Sequence, residues 1–136
     1  MKSRSQIREN ALQFLYLLSY QQDDKDKQRE MFIEAQGLSD EDLPFFDCLV
    51  EGVLRHEAEL DTEIEPQLVD WRLSRLPILD RNILRMALFE LTYLDDVPDA
   101  VSISEAVNLA KKYCDDKAGS YINAVLGKLV REREGR

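Results

Sequence analysis

Cysteine is scarce in this sequence. Cys48 and Cys114 are the only two, they lie far apart, and neither sits at metal-ligand spacing from another ligand residue. That excludes a disulfide framework and a zinc cluster, and it predicts two free thiols in a reducing cytoplasm. There is a single histidine, His56, with no cysteine or second histidine near it. It makes no metal site and reads as a polar residue near a helix end. Glycine and proline are few, 5 and 4 of 136 residues, which fits a helix-rich globular chain. No apolar run reaches the roughly 18 residues of a membrane span. The basic N-terminus lacks the apolar core and small-residue cleavage site of a signal peptide. A Gly-rich phosphate loop, a Ser/His/Asp set and a supported Cys/His pair are all missing. No enzyme activity, metal or cofactor is expected.

What is present is charge, unevenly spread. The chain carries 27 acids and 18 bases, a net −9, which argues against a general nucleic-acid binder. Residues 23–65 hold 15 acids and 4 bases. The ends differ: Lys2, Arg4 and Arg8 stand without an acid, and residues 111–136 hold 7 bases and 4 acids. An acidic middle and basic ends leave room for an RNA-binding edge.

Hydrophobic periodicity predicts helices throughout and no strand. Ile7, Ala11, Phe14, Leu15 and Leu18 make a stripe on a first helix over Ser3–Ser19, capped by Ser3 or Ser5. Residues 20–29 read as a polar loop. A short helix around Met31–Ala35 ends at Gly37. Ser39 and Asp42 resemble a capping box, and Pro44 fits a first turn. Phe45 to Leu54 drive a third helix to about His56. Leu60, Ile64 and Leu68 extend a fourth, with Pro66 near its end. Trp71, Leu73 and Leu76 lie in a linker ending at Pro77. A fifth helix spans Leu79–Tyr93. Ser102-Ile103-Ser104-Glu105 reads as the capping box of a sixth, which ends in Lys111 and Lys112 where cations suit the helix dipole. Asp115–Gly119 reads as a loop before a seventh. The expectation is an all-α fold of about seven helices in two packed subdomains, residues 1–76 and 77–136.

Single-stranded RNA is held by cations on its phosphates and by aromatic faces under its bases. Lys111, Lys112, Tyr113, Lys117 and Tyr121 cluster around one helix–loop–helix corner. Arg4 and Arg8 lie one turn apart at the start of the first helix, beside Lys2. These eight residues are the candidate RNA contacts. Tyrosines at helix ends also serve as core edges, so the spacing of Tyr113 and Tyr121 fits either role.

Six short pieces, in order and spacing, carry a resemblance over essentially the whole chain. They are Arg8-Glu9-Asn10-Ala11-Leu12-Gln13-Phe14-Leu15-Tyr16; Leu49-Val50-Glu51-Gly52-Val53 with His56 and Glu59-Leu60-Asp61; Asp80-Arg81-Asn82-Ile83-Leu84-Arg85; Phe89-Glu90-Leu91; Glu105 to Tyr113; and Tyr121-Ile122-Asn123-Ala124-Val125-Leu126. Together they resemble the NusB family of bacterial transcription antitermination factors. The resemblance implies an all-α fold and binding of the boxA element of ribosomal RNA transcripts. It also implies a heterodimer with NusE, the tenth small-subunit ribosomal protein, inside a complex on RNA polymerase. On that basis Tyr16, Asp80, Arg81 and Glu90, beside the buried faces of the first and fifth helices, are expected at the NusE surface. The sequence departs from the family pattern in a thinner N-terminal arginine set. Ser104 stands where Asn is usual, and Cys114 and Ala124 where Gly is usual. A second reading is a helical interaction module that binds NusE, or a second copy of itself, with little RNA affinity. A third, an N-terminal fragment of an RNA cytosine methyltransferase, is disfavoured because no cofactor-binding domain is present.

Overall fold

A computed structural model of the chain describes residues 1–69 and 72–135. Trp71, expected in the linker, lies outside them. The described residues form six α-helices and two short 3₁₀ turns, with no strand. The helices are α1 (Arg4–Tyr20), α2 (Lys25–Gln36), α3 (Leu43–Ile64), α4 (Ile78–Tyr93), α5 (Asp99–Tyr113) and α6 (Asp116–Glu134).

Each boundary has a local cause. Ser3 caps α1 through a capping box: its hydroxyl accepts from the Gln6 N–H at 3.1 Å, and its own N–H donates to Gln6 Oε1 at 2.9 Å. Helix α2 begins at Lys25, inside the stretch read as loop. Asp24 adopts the left-handed region (φ 51°) and its carboxylate accepts from the Lys27 N–H. The polar residues then find partners on α3, where Arg29 forks onto Asp47 at 2.8 and 2.6 Å. Gly37, at φ 67°, ends the helix in the left-handed conformation that glycine adopts freely.

The expected third and fourth helices are one. No breaker separates His56 from Glu57, and Phe46, Leu49, Val50, Val53, Leu60 and Ile64 make one buried stripe down α3. Pro66 falls beyond its end, in the 3₁₀ turn Glu65–Gln67. His56 is therefore mid-helix, its ring stacked on Tyr93 with centroids 4.5 Å apart. The reading of Ser102–Glu105 as a capping box is also corrected. Helix α5 starts at Asp99, directly after Pro98, whose carbonyl accepts the Ser102 N–H. Ser102 is inside the helix and buried. The expected Asp115–Gly119 loop shrinks to a cap, because Asp115 accepts from the Ala118 N–H at 2.7 Å and α6 follows at once.

Helix α4 is central and packs against α1, α3, α5 and α6. Nine of its residues are buried, among them Asp80, Asn82 and Glu90. The apolar core is one continuous cluster running from Ile7 to Leu129. Helices α3 and α4 touch closely at Gly52, where an added Cβ would meet the Phe89 ring at 2.2 Å.

One charged tie crosses this core. Arg8 of α1 donates to both carboxylate oxygens of Glu90 on α4 at 2.8 Å, with both side chains about 96% covered. Ser102 of α5 donates to the same carboxylate at 3.0 Å. Burial opposes the Arg8 charge, but its bonds to Glu90 and the nearby Glu105 outweigh that and raise its pKa. Removing one member strands the other in a dry site. Glu90→Ala should therefore destabilise the fold by about 3–5 kcal/mol. The double replacement Arg8→Met with Glu90→Leu should cost much less; urea unfolding of both variants checks this. At the α3–α4 contact, Gly52→Ala forces the Phe89 ring aside and should cost about 1–3 kcal/mol, read as a lowered melting temperature.

Candidate nucleic-acid interface

Helix α1 presents three faces, and its candidates divide among them. Arg8 turns inward to Glu90 and is 3% exposed. Its expected place on the RNA surface is corrected, since its donors point into the core. Glu90, expected at the partner surface, is corrected for the same reason: it is 2% exposed and closes that pair. Position 9 lies one residue round the helix, and Glu9 and Gln13 are one turn apart on a shared face. That face looks at the C-terminal end of α5.

There the two distant basic stretches meet. Lys112 Nζ donates to Glu9 Oε1 at 2.7 Å, across 103 positions of sequence. The Tyr113 hydroxyl donates to the same oxygen at 2.5 Å and accepts from Gln13 Nε2 at 2.9 Å. Gln13 Oε1 accepts from Asn10 Nδ2, and Asn10 Oδ1 accepts from Lys2 Nζ at 3.0 Å. A chain of side-chain bonds thus links Lys2 to Lys112. The Glu9 carboxyl is held below its usual range, first by the bond from Lys112 and then by that from Tyr113. Burial, then the Glu9 bond, pushes the Tyr113 hydroxyl up to about 12.

The other cations lie on either side. Arg4 stacks on the Phe45 ring at 4.4 Å and pairs with Asp96 at 3.4 Å, both largely exposed. The Lys2 backbone N–H donates to Asp42, whose buried carboxylate also accepts from Ser39. Lys111 is exposed, with its stem over Gly119 of α6, and Lys117 is exposed at the start of α6. Among the described residues neither lysine forms an ion pair.

Tyr121 is half-buried and packed against the core. Among the described residues its covered hydroxyl has no hydrogen-bond partner, and burial, then Asp80, raises its pKa. With Leu76, Pro77, Asp80 and Lys117 it lines a hollow of about 240 Å³. A neighbouring hollow of about 470 Å³ runs from Tyr16 and Tyr20 past Pro77 and Asp80 to Tyr113. Tyr16 is 40% exposed and meets Tyr20 edge to face, centroids 5.0 Å apart. Asp80 is mostly buried and accepts from the Cys114 thiol at 2.9 Å. Burial, then that bond, pushes the thiol up to about 12. Arg81 is half-buried beside it in sequence, with its Nε covered and unpaired among the described residues. The sequence reading missed Glu9, Gln13 and Tyr20. Glu9 and Gln13 share the i, i+4 spacing of one helix face, which is a visible signal; their partners on α5 are visible only in three dimensions.

The comparisons agree with this architecture. The NusB family model matches residues 5–131. The transcription antitermination protein NusB of Ruminiclostridium cellulolyticum is 38% identical over 128 residues, 94% of this chain and 88% of that protein. The NusB of Listeria welshimeri is 39% identical over 129 residues, 95% and 97% of the two chains. Among solved structures, T. maritima NusB superposes with a TM-score of 0.87 at 26% identity, covering 96% of this chain and 92% of that one. A chain from the crystal structure of antitermination factors NusB and NusE in complex with dsRNA gives 0.84 at 28% identity, covering 95% and 96%. On helix order, shared core and matched sequence, the chain belongs to the NusB family.

Proposed function

We propose that the chain is a transcription antitermination factor that binds boxA RNA of ribosomal RNA transcripts together with NusE, within the complex on RNA polymerase. It acts in the cytoplasm, by binding and not by catalysis. The observation that carries this reading is the meeting of two basic stretches 103 positions apart, joined by Glu9–Lys112 and Gln13–Tyr113. Lys2, Arg4, Lys111, Lys112 and Lys117 then edge one strip, with Tyr113 and Tyr121 as half-buried rings beside it. The strip spans the two helical halves, residues 1–76 and 77–136. Relatives at 38–39% identity are named antitermination proteins, and a similar solved chain is described in complex with NusE and dsRNA.

The NusE surface is proposed at the mouth of the hollow beside Tyr16, with Asp80 and Arg81 behind it. Asp80 holds the Cys114 thiol inside the fold, so a change there disturbs the monomer. Tyr16 is the better probe. The second reading, an interaction module for NusE or a second copy, is favoured by internal neutralisation: Arg4 faces Asp96 and Lys112 faces Glu9.

RNA binding tests the first reading against the second. Lys117→Ala and Lys111→Ala should each weaken binding of single-stranded boxA RNA in the presence of NusE. Each should also flatten the log–log salt slope by about 0.7, one phosphate contact's worth. Unchanged affinity and slope in both would favour the interaction module. For the partner surface, Tyr16→Ala should lower NusE affinity on the order of tenfold, about 1.4 kcal/mol, with the melting temperature held. Calorimetry with purified NusE reads it, and unchanged affinity removes Tyr16 from the contact.

A further inference from the structure

We infer that Glu9 is a built-in competitor for RNA phosphate, occupying Lys112 and so setting how many phosphates the strip grips; this rests on the RNA-binding reading above. Lys112 is the cation most directly held at the meeting of α1 and α5. Its ammonium lies 2.7 Å from Glu9 Oε1, and its side chain remains 61% exposed. Glu9 is only 25% exposed, so its charge is less screened by water than that of a rim acid. Two donors, Lys112 and the Tyr113 hydroxyl, converge on one of its oxygens. Glu9 thus stays ionised in the middle of a cationic edge, with Lys2 near enough to stabilise that charge too.

A phosphate arriving at this edge meets a carboxylate already bonded to the lysine it needs. It must share that lysine or displace Glu9, and the acid repels it within a Debye length in either case. Glu9 is not required to hold the corner together. Gln13 Nε2 donates to the Tyr113 hydroxyl independently, and α1 is anchored through Arg8 and Glu90. The acid's distinct contribution is its charge. A neutral isostere keeps an acceptor for the Tyr113 hydroxyl and frees the Lys112 charge.

Glu9→Gln tests this, read as salt-dependent affinity for single-stranded boxA RNA with NusE present. The expected result is tighter binding, about threefold to tenfold, with a log–log salt slope steeper by about 0.7. A double-mutant cycle isolates the route. Lys112→Ala alone should weaken binding relative to the wild type, because it removes a strip cation and leaves the Glu9 charge uncompensated beside the RNA. In the Glu9→Gln background it should abolish the gain. A gain that survives Lys112→Ala overturns the competition for that lysine, and a loss of affinity in Glu9→Gln overturns it too, by making Glu9 a positioning residue. An unchanged melting temperature in Glu9→Gln ties the affinity change to charge. If the wild-type chain and all three variants show no salt-dependent RNA binding, the RNA-binding reading itself fails; if the wild type binds and Glu9→Gln does not differ, only the competition fails.

Discussion

The buried pair of Arg8 and Glu90 sets the rotation of α1. An arginine fork satisfied by both carboxylate oxygens, with a serine hydroxyl on the same acid, tolerates little displacement. Charges this deeply covered are costly to separate, so α1 has one acceptable orientation against α4 and α5. With position 8 facing the core, positions 9 and 13 must face the end of α5. The corner where Glu9 meets Lys112 and Gln13 meets Tyr113 follows from that single constraint. A surface feature is thus placed by an interior interaction on the same helix.

Charge explains how an acidic chain can present a basic edge. Nine of the fifteen acids of residues 23–65 lie on α2 and α3, where several pair locally: Arg29 with Asp47, Lys25 with Glu51, and Arg85 of α4 with Asp61. The edge at α1, α5 and α6 lies on other elements. At the usual ionic strength, charges more than about 10 Å away are largely screened. Net charge therefore says less about this edge than its own carboxylates do. Glu9 and Asp96 sit within it and neutralise Lys112 and Arg4 in part.

Helix type and core were legible because periodicity reports burial directly. The stripe Ile7–Ala11–Phe14–Leu15–Leu18 is buried as read, and of the apolar face expected on the fifth helix Ile83, Leu84, Ala87 and Leu88 are buried while Leu91 is half-buried. The failures have local causes. Asp24 starts α2 early from a left-handed residue, which is a conformation that propensity does not anticipate. The Ser-x-x-Glu pattern at 102–105 has the spacing of a cap, but Pro98 supplies an earlier start and Glu90 takes the serine hydroxyl. Arg8 and Glu90 looked like surface residues because nothing in the sequence pairs positions 82 apart. The basic corner was legible as two separate stretches; their junction required the fold.

The same geometry explains why three departures from the family pattern are tolerated. Glycine at a helix end is demanded only where φ is positive, and Cys114 has φ −121° with its N–H bonded to the Ala110 carbonyl. A side chain fits there, and its thiol donates to the Asp80 carboxylate. Ala124 is exposed in the middle of α6, where alanine is the better helix former than glycine. Ser104 is exposed within α5 and not at its cap, so asparagine's advantage as a capping residue does not arise there. The fourth departure, the thin arginine set, is of another kind. With Arg8 committed to the core, Lys2 and Arg4 are the only N-terminal cations left at the surface, and each already has a partner in Asn10 and Asp96. Among the described residues the strip's unpaired charge is therefore concentrated at Lys111 and Lys117, on the α5–α6 side, which makes that corner the first place to test under the proposed RNA-binding reading.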